Sequence, residues 1–233
     1  MKKSVLTISA ALLLPAMAVA QETEGLGASL GIDLVSQYIW RGQDLGGVSF
    51  QPTLGIDYKG FSLSAWGSAG FEKSDTKEVD LTIAYGIGGF SVGVTDYWFD
   101  NGPGYFKYKA HNTAHVFEAN VGYDFGFASL NWYTNFAGND GVTQRGKRAY
   151  SSYVEAAVPF KIASLDWQAE IGACPWSTTS YNTHGFAVIN VAVGAKKEFT
   201  ISDTFNFGVS AKLIANPRDD KAYFVCGLSL SCL

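Results

Sequence analysis

The feature that most narrows the possible folds is a period of two. From Gly27 onward the chain divides into twelve segments in which apolar and polar residues alternate. That period places the two residue sets on opposite faces of a β-strand. The segments are Gly27–Arg41, Phe50–Tyr58, Phe61–Phe71, Glu78–Gly86, Phe90–Phe99, Ala114–Phe125, Phe127–Phe136, Arg148–Val158, Ala163–Ala173, Phe186–Lys196, Phe205–Ile214 and Ala222–Cys232. The ninth shows the pattern plainly: Ala163, Leu165, Trp167, Ala169, Ile171 and Ala173 oppose Ser164, Asp166, Gln168 and Glu170. One charged residue, Asp96, falls on an apolar face. Connections alternate too. Short turns such as Lys59-Gly60 and Gly88-Gly89 follow even-numbered segments, and longer polar stretches such as Asp100–Asn112 follow odd-numbered ones.

Segments of about ten residues match a tilted membrane crossing, whereas strands of soluble proteins usually run to about 5–6 residues. Trp40, Phe50, Tyr58, Phe61, Phe71, Tyr85, Phe90, Trp98, Phe125, Phe136 and Phe205 lie near segment ends on the apolar face. Rings favour the headgroup level, so this placement predicts two aromatic girdles. The expected fold is all-β: a transmembrane antiparallel up-and-down barrel of twelve strands. An even count puts both termini on the short-turn rim, expected to be periplasmic. A soluble β-sandwich would also alternate, but it explains neither the strand length nor the girdles.

The first twenty residues read differently. Lys2 and Lys3 precede an apolar stretch ending Ala18-Val19-Ala20, the pattern of a signal peptide cleaved before Gln21. The expected mature chain is one barrel domain, 21–233. No later apolar run is long enough for a transmembrane helix. A formal charge of −4 gives no basic footprint for nucleic acid. Three cysteines, Cys174, Cys226 and Cys232, make no disulfide framework. Cys226 and Cys232 would lie roughly 20 Å apart along one strand, and Cys174, in an outer loop, is a candidate reactive thiol.

The stretch Ser36-Gln37-Tyr38-Ile39-Trp40-Arg41-Gly42, with Gln51-Pro52, Asp57-Tyr58-Lys59-Gly60-Phe61 and Trp66-Gly67, resembles the opening of the TorF-type porins. The closing stretch, Leu213-Ile214-Ala215-Asn216-Pro217 and Lys221-Ala222-Tyr223-Phe224, is similar to outer-membrane proteins of Bacteroidetes-type bacteria. The motifs cover the two ends of the chain. The resemblance implies a Gram-negative outer membrane, insertion by the barrel-assembly machinery, and a porin or channel role. One departure stands out. Such barrels usually end in an aromatic residue, and this chain ends Ser231-Cys232-Leu233.

If the apolar alternates face lipid, the polar ones face the lumen. That wall receives Asp33, Asp57, Glu78, Asp80, Glu118, Asp124, Glu155, Asp166 and Glu170 against Arg41, Lys196 and Lys212, nine acids to three bases. Trp66, Tyr97, Phe99 and Tyr153 also point inward by parity. A water-filled path with such a wall would favour small cations over anions. The alternative is a lumen plugged by those rings, with carboxylates paired to Arg41 and Lys212, in a barrel of structural or docking role. An outer-membrane hydrolase is the third reading. It would use His111, His115 or His184 with Glu72, Asp75 or Glu78, but no spacing ties a histidine to an acid or nucleophile. A metal at His111, His115 and Glu118 suits helical spacing, not a strand start. No catalytic residue, metal or cofactor is expected, and the expected partners are lipid and small hydrophilic solutes.

Overall fold

The computed structural model describes residues 25–109 and 112–232. The expected signal segment, His111 and Leu233 lie outside them. Among the described residues fourteen strands form: β1 (Gly27–Val35), β2 (Tyr38–Trp40), β3 (Gln43–Gly46), β4 (Ser49–Tyr58), β5 (Phe61–Gly70), β6 (Lys77–Ile87), β7 (Phe90–Phe99), β8 (His115–Asp124), β9 (Ser129–Gly138), β10 (Ser152–Ile162), β11 (Leu165–Cys174), β12 (Ala187–Thr200), β13 (Phe205–Asn216) and β14 (Lys221–Cys232). Twelve of them close into one antiparallel barrel in chain order, with β1 sealing the ring against β14. β2 and β3 pair only with each other.

Lipid offers no hydrogen bonds to an exposed backbone, so a spanning sheet must have no free edge. Pairing of Leu30 with Cys232 and of Val35 with Gly227 removes the last one. Three short-rim turns contain just two residues between paired strand ends, Lys59-Gly60, Gly88-Gly89 and Ala163-Ser164, all at positive φ. This mirror-image turn matches the right-handed twist of the strands it joins. Both described termini sit on this rim, where Gly27 faces Asp57 and Phe205 faces Cys232.

The outward face carries exposed Leu30, Leu54, Ile56, Leu63, Ile83, Leu213 and Leu228. Aromatic residues collect at its borders. Near the short rim Phe61 packs on Tyr85, Tyr123 on Phe125, and Phe160 on Trp167; near the other rim Phe117 meets Phe136 and Trp132 meets Trp176. Apolar flesh outside and polar groups inside identify a lipid-facing barrel. Asp96 does point outward, but it is screened there. Its Oδ1 lies 2.7 Å from His115 Nδ1, and the loop after β7 folds over the pair, stacking Tyr108 on the imidazole at 4.1 Å.

Four expectations need correction. The first segment does not run to Arg41: β1 stops at Val35, and Tyr38 and Trp40 leave the apolar exterior for the lumen. Fifteen residues exceed what a single crossing uses, so the surplus folds into its own hairpin. Ile189 does not face lipid. A register shift opposite Gly172/Ala173 makes it an extra residue on β12, and this bulge turns it inward, 1% exposed. Cys174 ends β11 rather than lying in a loop, fully buried among Tyr133, Tyr153, Tyr181 and Ile189, which is poor access for a reactive thiol. Finally, β10 runs from Ser152 to Ile162 rather than Arg148–Val158, and β13 continues to Asn216 and β12 to Thr200, beyond the expected ends.

Replacing Leu54, in the middle of β4 and 57% exposed, by Arg is expected to destabilise the barrel in lipid vesicles by about 2–4 kcal/mol. Urea unfolding in vesicles reads this, and an unchanged midpoint would contradict a lipid-facing Leu54.

Candidate functional site

The connection between β1 and β4 folds back into the barrel. Its hairpin turns at Arg41-Gly42, with φ of 50° and 75°, between paired Trp40 and Gln43. Arginine in the left-handed region costs about 1 kcal/mol, so the surroundings must hold it there. Gly42 is required for a second reason: a Cβ would stand 1.9 Å from the Ile189 carbonyl oxygen. The β12 bulge and the hairpin tip are therefore fitted to each other.

Each residue of β2 reaches a different side of the lumen. Tyr38 packs on Trp66 and donates its hydroxyl to Glu78 Oε2 at 2.9 Å. Ile39 packs against Val35, Ala192, Ile214 and Val225. Trp40 lies edge-on to Tyr97 and stacks on Tyr181. Arg41 is the anchor. Its Nη1 donates to Glu118 Oε2 at 2.6 Å and its Nη2 to Oε1 at 2.9 Å. Nη1 also lies 2.6 Å from the Tyr181 hydroxyl oxygen. Trp40, Tyr133 and Tyr153 rings surround Cζ at 4.4, 4.1 and 4.7 Å. Charge-assisted bidentate pairing and ring faces both favour a planar guanidinium. Asn216 Nδ2 holds the Gly42 carbonyl at 3.1 Å. Outside the lumen, Asp75 ties down the hairpin's base by accepting the Gly47 amide at 3.1 Å and the Glu72 amide at 2.9 Å.

Glycine on the wall makes room for this arrangement. Gly172 faces Glu155 across β10–β11, and a Cβ there would strike the Tyr153 hydroxyl. Tyr153 lies across that gap and donates to Glu155 Oε2 at 2.5 Å. Above the hairpin, the loops around Val142 and Thr179 bond to one another and present Tyr181 downward.

Below the hairpin is a cavity of about 320 Å³ that reaches the short-turn rim at Ser62 and Cys232. Of the residues expected on the lumen wall, Asp33, Arg41, Asp57, Trp66, Asp80, Tyr153, Glu155, Glu170 and Lys212 line it. Glu78 and Glu118 sit behind the hairpin, bound to Tyr38 and Arg41. Lys212 bridges to Glu170 at 2.8 Å, and Lys196 to Glu198 at 2.7 Å. Asp124 and Asp166 stand at the mouth rather than in the cavity. Asp124 caps the Gly126 amide, and Asp166 meets Lys161 in solvent. Among the described residues no ion pair joins Asp33, Asp57, Asp80 or Glu155 to a lysine or arginine, and Asp80 Oδ1 is buried without a hydrogen-bond partner.

The remaining candidates scatter. His115 faces outward, with Asp96 on Nδ1 and the Tyr105 carbonyl on Nε2, while Glu118 faces inward. Sequence reading placed Arg41 in the lumen by extending the wall, and missed that it arrives on a hairpin. The available signal was the excess length of the first segment together with Arg41-Gly42, a two-residue turn of the kind that closes hairpins.

No protein-family model and no curated protein matches the sequence. The fold is similar to solved porins and channels. One is a KdgM porin in complex with disordered oligogalacturonate, at TM-score 0.50 and 10% identity, covering 88% of this chain and 98% of that one. A NanC porin aligns at TM-score 0.49 and 9% identity, covering 88% and 99%. A CymD monoaromatic hydrocarbon channel aligns at 0.49 and 10%, covering 94% and 90%. At these identities the likeness is one of fold.

Two outcomes follow. Tyr38→Phe leaves buried Glu78 Oε2 without its donor and should weaken hairpin docking by about 1–3 kcal/mol, read as faster amide exchange over β2 and β3. The two backbone amides hold the Asp75 carboxyl below its usual range. A depressed native value means that the tie is intact above the ordinary carboxylate range and is lost as pH falls through the lowered value. Exchange at Gly47 and Glu72 should accelerate only in that acid window, and Asp75→Ala should show the fast rate at neutral pH.

Proposed function

We propose that the protein is an outer-membrane channel for small hydrophilic solutes, favouring cations, and that the β2–β3 hairpin holds it shut at rest. The carrying observation is that the lumen is blocked by an inserted connection and not filled by the wall. Beneath the hairpin the wall encloses a cavity large enough for water, studded with carboxylates among apolar side chains and open to one rim. A two-stranded hairpin has little stability of its own, so its position depends on the contacts of Tyr38, Ile39, Trp40, Arg41 and Gly42 with the wall and loops. The cavity's carboxylates, Asp33, Asp57, Asp80, Glu155 and Glu170, outnumber Arg41 and Lys212. With Arg41 withdrawn, the field on a permeating ion would be more negative still.

The apolar exterior with its aromatic borders supports the membrane assignment, and the resemblance of both chain ends to TorF-type porins and Bacteroidetes-type outer-membrane proteins is consistent with the location. On that reading the termini and short turns are periplasmic, residues 1–20 are the export signal, and the cavity opens inward. A second reading, a barrel closed for good with a structural role, is favoured by the burial of Arg41 and Glu118, 6% and 1% exposed.

Planar-bilayer recordings under a salt gradient distinguish them. The proposal expects brief openings with a reversal potential of cationic sign, shifted toward neutral when Asp33, Asp57 and Asp80 are changed to Asn together. An anionic potential would refute the selectivity. Silence in the wild type and in a variant lacking 38–46 would establish the closed barrel.

A further inference from the structure

The wall contacts around Arg41 make up a binding site in their own right. Glu118 comes from β8, Tyr133 from β9, Tyr153 from β10 and Tyr181 from the loop after β11. None of the four belongs to the hairpin, so all remain if it leaves. Glu118 is pre-set for a fork: the Tyr97 hydroxyl donates to Oε1 at 2.9 Å, fixing the carboxylate plane that meets the two Nη atoms. Ring faces of Tyr133 and Tyr153 cover the guanidinium carbon, and the Tyr181 oxygen takes a further N–H. A compact ammonium would satisfy one oxygen of that carboxylate and leave the fork half used.

The occupant fits less completely than the site. Arg41 Nε is buried with no hydrogen-bond partner among the described residues, and its backbone is at φ 50°. The cage recognises the terminal –C(NH₂)₂ end of the side chain and makes no provision for the tether. Arg41 behaves as a covalently attached ligand, held at high effective concentration by its short connection.

We propose that this cage is a recognition site for small guanidinium-bearing solutes, with Arg41 as its resting occupant. A solute that binds the cage displaces Arg41 and favours withdrawal of the hairpin, because it binds only the undocked state. The site thereby couples solute binding to opening. This deepens the channel reading and rests on it for the coupling; the cage itself does not need conduction.

The test starts with Arg41→Ala, purified as the full barrel in detergent, and guanidinium chloride at low millimolar concentration as the probe. Calorimetry and the thermal unfolding midpoint should both report saturable binding. The wild type, whose cage is filled, should show none at the same concentrations. Ammonium chloride at equal ionic strength should bind about tenfold more weakly or worse, and Glu118→Gln in the Arg41→Ala background should weaken guanidinium binding by a similar factor. If Arg41→Ala fails to fold, a barrel lacking 38–46 keeps the whole cage and serves in its place. Equal response to guanidinium and ammonium, or indifference to Glu118→Gln, would overturn the proposal. In bilayers, guanidinium should raise the open fraction of the wild type only at concentrations well above those that saturate Arg41→Ala, where it competes with the tethered side chain. Saturable binding with no current from any variant would uphold the cage and overturn the channel reading.

Discussion

Lipid's inability to hydrogen-bond a backbone is the constraint from which the rest follows. It forces the sheet to close, and closure of twelve strands turns every inward side chain toward a space that must be either packed or wet. This chain does both. The short-turn half of the lumen is hollow and carries the carboxylates, and the other half is packed by a borrowed segment. That segment fits because the wall is shaped for it. The Ile189 bulge lies beneath Gly42, Gly172 gives Tyr153 room to lie across the wall, and Asn216 holds the tip carbonyl.

A buried ion pair is a costly way to attach a plug. Apolar residues of similar size would often bind as well or better, while the charge pair demands its partners in one geometry. Arg41 and Glu118 therefore confer register more than strength. Displacing the arginine leaves Glu118 without its counter-charge, so losing this one pair weakens docking by more than the pair itself adds. A device meant to stay closed gains little from this. One meant to open gains a point at which a competing charge acts.

The barrel was readable because its rule is local. Each strand from Phe50 onward repeats one alternation, and turn residues mark the ends. The plug was not readable by the same rule, because Leu34, Tyr38 and Trp40 keep the same parity through the break at Ser36-Gln37. Alternation reports which face a residue occupies only while the strand continues. Ile189 failed for a related reason, since one extra residue inverts the faces without altering composition. Cys174 looked like loop because Pro175 follows it, and its burial depends on Tyr133 and Tyr153, which belong to other strands. Asp96 was visible as an anomaly, but its resolution by His115 required the fold of the following loop. Parity nominated the inward carboxylates as one set; which of them bind the hairpin, as Glu78 and Glu118 do, depended on the fold of the connection.

The most direct test is a double-mutant cycle on Arg41→Met and Glu118→Met, reading amide exchange over Tyr38–Gly46 in the detergent-solubilised barrel. If the pair docks the hairpin, each single change should free it strongly and the double change should restore much of the lost protection, giving a coupling energy well above about 1 kcal/mol. Effects that add to within about 0.5 kcal/mol would show that the hairpin is held by something else.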